Sequence, residues 1–350
     1  MKVQKNLLVA PLNWGIGHAT RCIPIIKILK ENGFNVIIAA SERSLDLLLQ
    51  EFPHNEFIKL EDYNVKYHSY LPMSINMFMQ TPKILLGIYK EHKYLKSIIK
   101  DFKIEGVISD NRYGLYSKEI PSIFITHQLE IQTPIFKNII KKINYLFINK
   151  FTQCWIPDYK ENGLAGKLSH PKEKIKNHIY IGPLSRFKRT IQETKFDILA
   201  IVSGPEPQRS IFEKILIKKL RLHKKKVLLL QGKPDTDFSK KINNLTIRSH
   251  MSSEDLNTMI LQSNLIICRS GYSTIMDLVK LQKNAILVPT PGQTEQEYLA
   301  QFLSKSKHFQ FQNQKEFNLS TAQIQSNNFV AMNYQDHITN WDDILKIFKK

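Results

Sequence analysis

Cysteine is scarce in this sequence: Cys22, Cys154 and Cys268 are the only three in 350 residues. They stand far apart without a Cys-x-x-Cys pair, so neither a disulfide nor a metal site is expected. Acidic residues are also in short supply, 31 Asp and Glu against 50 Lys and Arg, which leaves a formal net charge of +19 and calls for a partner of opposite sign. Zinc-finger spacing, an RNP-like aromatic motif and a basic heptad region are all missing, and most of the Lys is dispersed among Ile, Leu and Phe. That pattern argues against nucleic acid and suits an anionic membrane surface, with a generally Lys-rich proteome as the plainer alternative. No apolar run reaches the length of a membrane span, and Met1-Lys-Val-Gln-Lys-Asn leads into a strand without a signal-peptide core. The expected location is the cytoplasm, with peripheral attachment to the inner face of its membrane.

What is present is enough apolar residue, 42% of the chain, to fill two cores. Short apolar runs at Asn6 to Leu12, Val36 to Ala40, Glu56 to Leu60, Gly106 to Ser109, Ser122 to Thr126 and Gln153 to Ile156 alternate with helical patterns. The alternation resumes at Asp197 to Val202, Val227 to Leu230, Leu245 to Ile247, Asn264 to Cys268 and Ala285 to Pro289. It predicts an α/β protein with two Rossmann-like, doubly wound domains. An apolar strand ending in Ile181-Gly-Pro marks the boundary, giving domains over 1–184 and 185–335. The tail, 336–350, has apolar residues at helical spacing and is expected to pack back across that boundary.

In the second half, Asn264 to Ala300 reads as strand, turn, helix and strand. A helix opening after Arg269-Ser270-Gly271 offers free backbone N–H groups to a phosphate, and Ser273 and Thr274 add hydroxyls in its first turn. Asp277, one turn after Ser273, faces the same side and is placed to accept hydrogen bonds from ribose hydroxyls. The plainer alternative is that these residues cap the helix and face water. Earlier, Ser203-Gly204-Pro-Glu-Pro-Gln-Arg209 ends a strand; its N–H groups and hydroxyl can meet a phosphate, and Arg209 or Arg269 can clamp a diphosphate.

The first half opens with a strand and the turn Asn13-Trp-Gly15-Ile-Gly17-His18, followed by a helix and a second strand. Glycines in a first βα turn permit close approach of a ligand. The third glycine of a dinucleotide fingerprint is replaced by Thr20, although Glu42 sits at a tolerable distance for a ribose acid, so a dehydrogenase reading stays open here. Asp110 and the pair His127 and Gln128 come just after two later strands, at the sheet edge where sites form. Asp110 is a base, an orienter of a base, or a helix cap.

Taken together, Cys268-Arg-Ser-Gly-Tyr-Ser-Thr-Ile-Met-Asp-Leu and Ala285-Ile-Leu-Val-Pro-Thr-Pro-Gly-Gln-Thr-Glu-Gln-Glu-Tyr resemble the donor-binding signature of the MurG-like glycosyltransferases, family 28. The resemblance implies the GT-B fold, two Rossmann-like domains facing each other across a cleft, and a UDP-sugar co-substrate with no other cofactor. It places Asp277 on the ribose, Gln293 and Gln296 on the sugar, and Met251 against the uracil. This sequence has Asp277 where many relatives carry Glu, and Glu297 where some carry a second Gln. The Gly-Ile-Gly-His turn is similar to the family's amino-terminal loop, which makes His18 the first candidate for general base and places Asn13, Gly15 and Gly17 by the acceptor; His127 and Gln128, at the edge of the same sheet, are the further acceptor-lining candidates.

The reading that follows is an inverting, metal-independent hexosyltransferase acting on a lipid-linked or small-molecule acceptor. An epimerase of the same fold and a non-catalytic docking subunit are the alternatives. Two Lys-bearing amphipathic stretches, Pro82 to Lys100 and Pro134 to Lys150, together with the apolar Met73, Ile75, Met77, Phe78 and Met79, make the expected membrane-facing surface.

Overall fold

A computed structural model describes residues 4–63, 73–131, 137–171, 175–234, 236–332, 334 and 339–349, with the backbone only for 73–79 and 137. The chain divides into two compact units, Met1–Ser185 with His337–Lys350, and Arg186–Asp336.

The first unit runs β1 (Asn6–Pro11), α1 (Ile16–Glu31), β2 (Asn35–Ala40), α2 (Glu42–Glu51), β3 (Glu56–Lys59), α3 (Met73–Asp101), β4 (Ile104–Asp110), β5 (Ser122–Ile125), α4 (Lys137–Ile148), β6 (Gln153–Ile156) and β7 (His178–Tyr180). Its sheet is wholly parallel in the order β3-β2-β1-β4-β5-β6-β7. A sheet covered on both faces needs strands that are apolar on both faces, which is why Leu7 to Ala10 and Ile123 to Ile125 are continuous buried runs. On one face Leu95 and Ile98 of α3 pack with Leu8, Ile37 and Val107. A last helix, Trp341–Lys349, completes the unit: its Trp341 and Phe348 rings meet Trp155 edge-on, and Phe348 also meets Phe34. Gly106 is what lets this helix sit so close, since a Cβ there would stand 2.5 Å from the Phe348 ring.

The second unit runs β8 (Phe196–Ile201), α5 (Gln208–Leu220), β9 (Val227–Leu230), β10 (Ser239–Ile242), β11 (Leu245–Arg248), α6 (Ser253–Leu261), β12 (Ser263–Cys268), α7 (Tyr272–Lys280), β13 (Ala285–Leu287), α8 (Thr294–Leu303), β14 (Phe309–Phe311) and α9 (Leu319–Ser326). Its sheet order is β10-β11-β9-β8-β12-β13-β14, parallel except where β10 pairs antiparallel with β11. Without that hairpin strand its six strands follow the doubly wound order of β3-β2-β1-β4-β5-β6 in the first sheet, which has β7 in addition.

In each sheet the strand order reverses beside the first strand of the unit, between β1 and β4 and between β8 and β12. Ligands of doubly wound sheets bind at such points, outside the carboxyl ends of the strands. Three elements differ from expectation. α3 begins at Met73 and continues through Pro82, where a helix start was expected; the lost N–H bond is tolerated in a helix anchored by the buried Ile88, Leu95 and Ile98. The edge strands β10, Ser-Lys-Lys-Ile, and β14, Phe-Gln-Phe, have no apolar run to announce them.

Candidate active site

The first switch point brings together residues from three loops. Pro11, the last residue of β1, pairs in register with Asp110, the last of β4, so the Asn13–Gly17 turn and Asp110 lie side by side. Gly15 has φ +110, a conformation only glycine adopts without strain, and it turns the chain into α1. His18 and Arg21 then fall one helical turn apart and point the same way. His18 Nδ1 lies 2.9 Å from Asp110 Oδ1. Arg21 Nε donates to Asp110 Oδ2 at 2.5 Å, Arg21 Nη2 donates to Asp110 Oδ1, and Nη2 is also 2.8 Å from His18 Nδ1. Arg21 Nη1 reaches His127 Nδ1 at 3.3 Å.

The electrostatics follow from burial and from Arg21. Asp110 has no exposed surface. Burial pushes its carboxyl up, but the Arg21 charge, with His18 and their hydrogen bonds, outweighs burial and holds it at about 2. Asp110 is thus a carboxylate already carrying three hydrogen bonds or close contacts from His18 and Arg21. No helix follows β4 before β5, so it caps none. Burial lowers the His18 imidazole below its ordinary value, Arg21 lowers it further, and Asp110 offsets part of this. His18 is therefore neutral near pH 7, and among the described residues its Nε2 makes no hydrogen bond. Arg21 was not singled out from sequence, although its spacing three residues after His18 is the signal that finds it.

The neighbouring residues complete the edge. Asn13 donates to Glu42 Oε2 at 2.8 Å and accepts from Ser44 Oγ at 2.8 Å, which ties the turn to α2. Gly17 accepts from Thr20 Oγ1 through its carbonyl. His127 is buried, and the Gln128 carbonyl accepts from Asn144 at 3.2 Å.

At the second switch point the loops after β8, β12 and β13 come together. Gly271 is the N-cap of α7 and makes no side-chain cap hydrogen bond; Ser273, Thr274 and Asp277 are partly buried along α7 while Tyr272, Ile275, Met276, Leu278 and Val279 face the core. Ser270 is buried and donates to the Gln296 carbonyl at 2.8 Å. Gln293 is the N-cap of α8 and accepts from Gln296 Nε2. Ser203 is exposed, Gly204 has φ +106, and Met251 is half-buried just ahead of α6.

The two arginines expected to clamp a diphosphate are engaged inside the unit. Arg209 binds Glu206 and Glu213, each at 2.6 Å, and the Gln231 carbonyl at 3.0 Å. Arg269, 1% exposed, places Nε on the Ser203 carbonyl, Nη1 on those of Val288 and Pro289, and Nη2 on the Gln208 carbonyl and Gln314 Oε1. Its guanidinium lies 4.1 Å from the Phe212 ring, and burial lowers it to about 10. Arg269 thus ties together the loops after β8 and β13, and its five N–H groups are all used in doing so.

All three cysteines are buried free thiols. Among the described residues no group of three His, Cys, Asp or Glu side chains is arranged to hold a metal ion.

Comparison with known proteins agrees with this fold. Residues 198–335, nearly the whole second unit, match the glycosyltransferase family 28 C-terminal domain. An uncharacterized glycosyltransferase of Methanosarcina acetivorans is 27% identical over 312 residues, 81% of this chain and 79% of that protein. The UDP-N-acetylglucosamine–N-acetylmuramyl-(pentapeptide) pyrophosphoryl-undecaprenol N-acetylglucosamine transferase of a Sulfurihydrogenibium species is 24% identical over 281 residues, 79% of this chain and 75% of that one. The crystal structure of Acinetobacter baumannii MurG superposes with a TM-score of 0.58 at 14% identity, covering 99% of this chain and 100% of that one. The second unit is therefore a glycosyltransferase family 28 C-terminal domain, and the chain as a whole resembles the MurG-like glycosyltransferases and has their GT-B fold.

Proposed function

We propose that this protein transfers a hexose or N-acetylhexosamine from a UDP-sugar to a hydroxyl or phosphate of a lipid-linked acceptor at the cytoplasmic membrane surface, by direct inverting displacement. The observation that carries the chemistry is the His18–Asp110–Arg21 cluster. In this reading His18 Nδ1–H donates to Asp110, held as a carboxylate, rather than Nδ1 accepting from Arg21 Nη2 at 2.8 Å, and the Nε2 lone pair is the one available. Nε2 then takes the acceptor proton as the acceptor oxygen attacks the anomeric carbon; the bond to the diphosphate breaks, and its electrons leave with the diphosphate. In this reading Asp110 orients and Arg21 sets the charge balance. The N-terminus of α7, with Ser273 and Thr274, stabilises the leaving diphosphate without a metal ion. Asp277 holds the ribose, Met251 lies by the uracil, and Gln293 and Gln296 shape the sugar end.

The acceptor class is supported by the surface near His18. Leu12, just past β1, packs in one cluster with Ile84 and Ile88 of α3 and Phe147 of α4. From that cluster the outer faces of both helices present apolar side chains to solvent: Leu85, Leu86 and Tyr89 on α3, and Ile139, Ile143 and Leu146 on α4, with Tyr89 66% and Leu146 68% exposed. Lys83, Lys90 and Lys142 lie among them. An apolar patch rimmed by Lys suits an anionic bilayer. The side chains of Met73 to Met79, expected on the same surface, lie outside the described residues. No described helix is long and apolar enough to cross a membrane. The Sulfurihydrogenibium relative is named for UDP-N-acetylglucosamine and a pyrophosphoryl-undecaprenol acceptor, which makes that donor and acceptor chemistry the first to try.

The test is incubation with radiolabelled UDP-sugars, with and without a membrane lipid extract. Label moving into lipid supports the reading. Release of an altered free nucleotide sugar would instead indicate an epimerase, and binding without turnover a docking subunit.

A further inference from the structure

Several buried polar atoms of the second unit, Gln231 Oε1, Gln262 Oε1 and Thr290 Oγ1 among them, have no hydrogen-bond partner among the described residues, and Thr290 is the one that stands in a loop at the switch point. Thr290 stands just past β13, is 1% exposed, and its Oγ1 has no hydrogen-bond partner among the described residues. A buried hydroxyl without a partner is a cost that folding normally avoids. The turn around it is otherwise committed. The Thr290 N–H donates to Gln296 Oε1 at 2.9 Å, Gln296 Nε2 donates to Gln293 Oε1, and the Gly292 N–H donates to Glu297 Oε1 at 2.9 Å. Ser270 Oγ fastens the Gln296 carbonyl from the β12 side. The turn is thus braced at several points and holds one hydroxyl in reserve.

Opposite that hydroxyl is Gly204, in the turn after β8. With φ +106 it takes a conformation that side-chain-bearing residues rarely adopt, and a Cβ there would meet Thr290 Oγ1 at 3.4 Å with no other non-neighbouring atom within 4 Å. The missing side chain therefore leaves a space whose near neighbour is the spare hydroxyl. That space lies beside the β8–β12 switch point, where the phosphates of a nucleotide sit in a doubly wound sheet. A phosphate oxygen only accepts hydrogen bonds, and a threonine hydroxyl can donate one.

We propose that Thr290 Oγ1 is a donor-site ligand, donating to a diphosphate oxygen that occupies the space beside Gly204, and that Gln296 is a positioning residue which holds Thr290 there. This rests on the nucleotide-sugar reading of the second unit and names a contact within it. It also explains why an unpaired hydroxyl is retained at a site where valine would fill the same volume.

Thr290→Val keeps the shape and removes the hydroxyl. The ligand-free variant should melt no lower than the wild type, because the deleted group had no partner. Its affinity for UDP or TDP by calorimetric titration should fall about tenfold, the usual effect of losing one hydrogen bond to a charged group, and Thr290→Ser should restore it. Equal nucleoside diphosphate affinity in Thr290→Val and wild type overturns the assignment and leaves the donor reading standing. A valine variant that melts well below wild type overturns it as well, by showing the hydroxyl to be paired in the free protein. Wild-type protein that binds neither UDP nor TDP overturns both.

Discussion

Replacing Asp110 by Asn removes one negative charge from a place that water does not reach. The carboxylate takes Arg21 Nε at 2.5 Å, a second Arg21 nitrogen and His18 Nδ1 at 2.9 Å, and the Arg21 side chain is itself only 3% exposed. The cost can be reached by two routes. The carboxyl lies at about 2. Against an ordinary 3.9 that difference is worth about 2–3 kcal/mol at neutral pH. Leaving a buried arginine without its counter-charge costs about 3–5 kcal/mol. Both describe the same interaction, so the expected loss is about 2–5 kcal/mol, not their sum. The sign with pH follows from the depressed carboxyl: its contribution is complete above about pH 4 and disappears as pH falls through about 2, with roughly half gone by pH 3. All three tryptophans, Trp14, Trp155 and Trp341, belong to the first unit, so their fluorescence reports its unfolding without a signal from the second. Urea titrations at pH 7 and pH 3 should show Asp110→Asn clearly less stable at pH 7 and closer to wild type at pH 3. Equal urea midpoints at pH 7, or a gap that does not narrow at pH 3, would refute the charge-balance argument.

Three further outcomes are expected. His18→Ala should lose about 100- to 10,000-fold in turnover while keeping donor affinity, and because burial and Arg21 lower its imidazole, the acid limb of the wild-type rate profile should fall below pH 6.5. Near-normal turnover in that variant would remove His18 from the chemistry. Asp277→Ala should weaken UDP-sugar binding by about 1–3 kcal/mol in a calorimetric titration, and an unchanged affinity rules out the ribose contact. Sedimentation with liposomes should rise with acidic lipid and fall with salt, each Lys near the surface contributing roughly 1 kcal/mol. Replacing Leu86 and Leu146 by Ser should weaken it even at low salt, and equal binding to neutral and acidic vesicles would reduce the net charge to a matter of solubility.

Much of the fold was legible in the chain because a parallel sheet covered on both faces demands uninterrupted apolar strands. Val227 to Leu230 and Ala285 to Leu287 can be read in no other way once the helical patterns around them are seen. β10 and β14 escaped notice for the converse reason: edge strands are half-solvated and short, so Ser-Lys-Lys-Ile and Phe-Gln-Phe carry no run to detect. Pro82 misled in another way, since proline favours a helix start locally and only the packing of the rest of α3 keeps the helix going through it.

The sequence by itself determined which residues stand at the ends of strands, because strand ends and turn chemistry are local; the Gly-Ile-Gly-His turn, Asp110 and the Ser-Gly-Tyr-Ser-Thr segment were all found that way. Only the tertiary structure decided which of those residues meet. Strand order sets β1 beside β4, and through that pairing it joins Asp110 to His18 and Arg21 across 92 and 89 positions of chain. The same long-range pairing assigned the charges. Arg209 and Arg269 look like free cations in a linear reading, and they are held inside the second unit by partners as distant as Gln314. Thr290, ordinary in sequence, is left with an unshared hydroxyl. Hydrogen-bond saturation is a property of the packed neighbourhood, and no local pattern of residues encodes it.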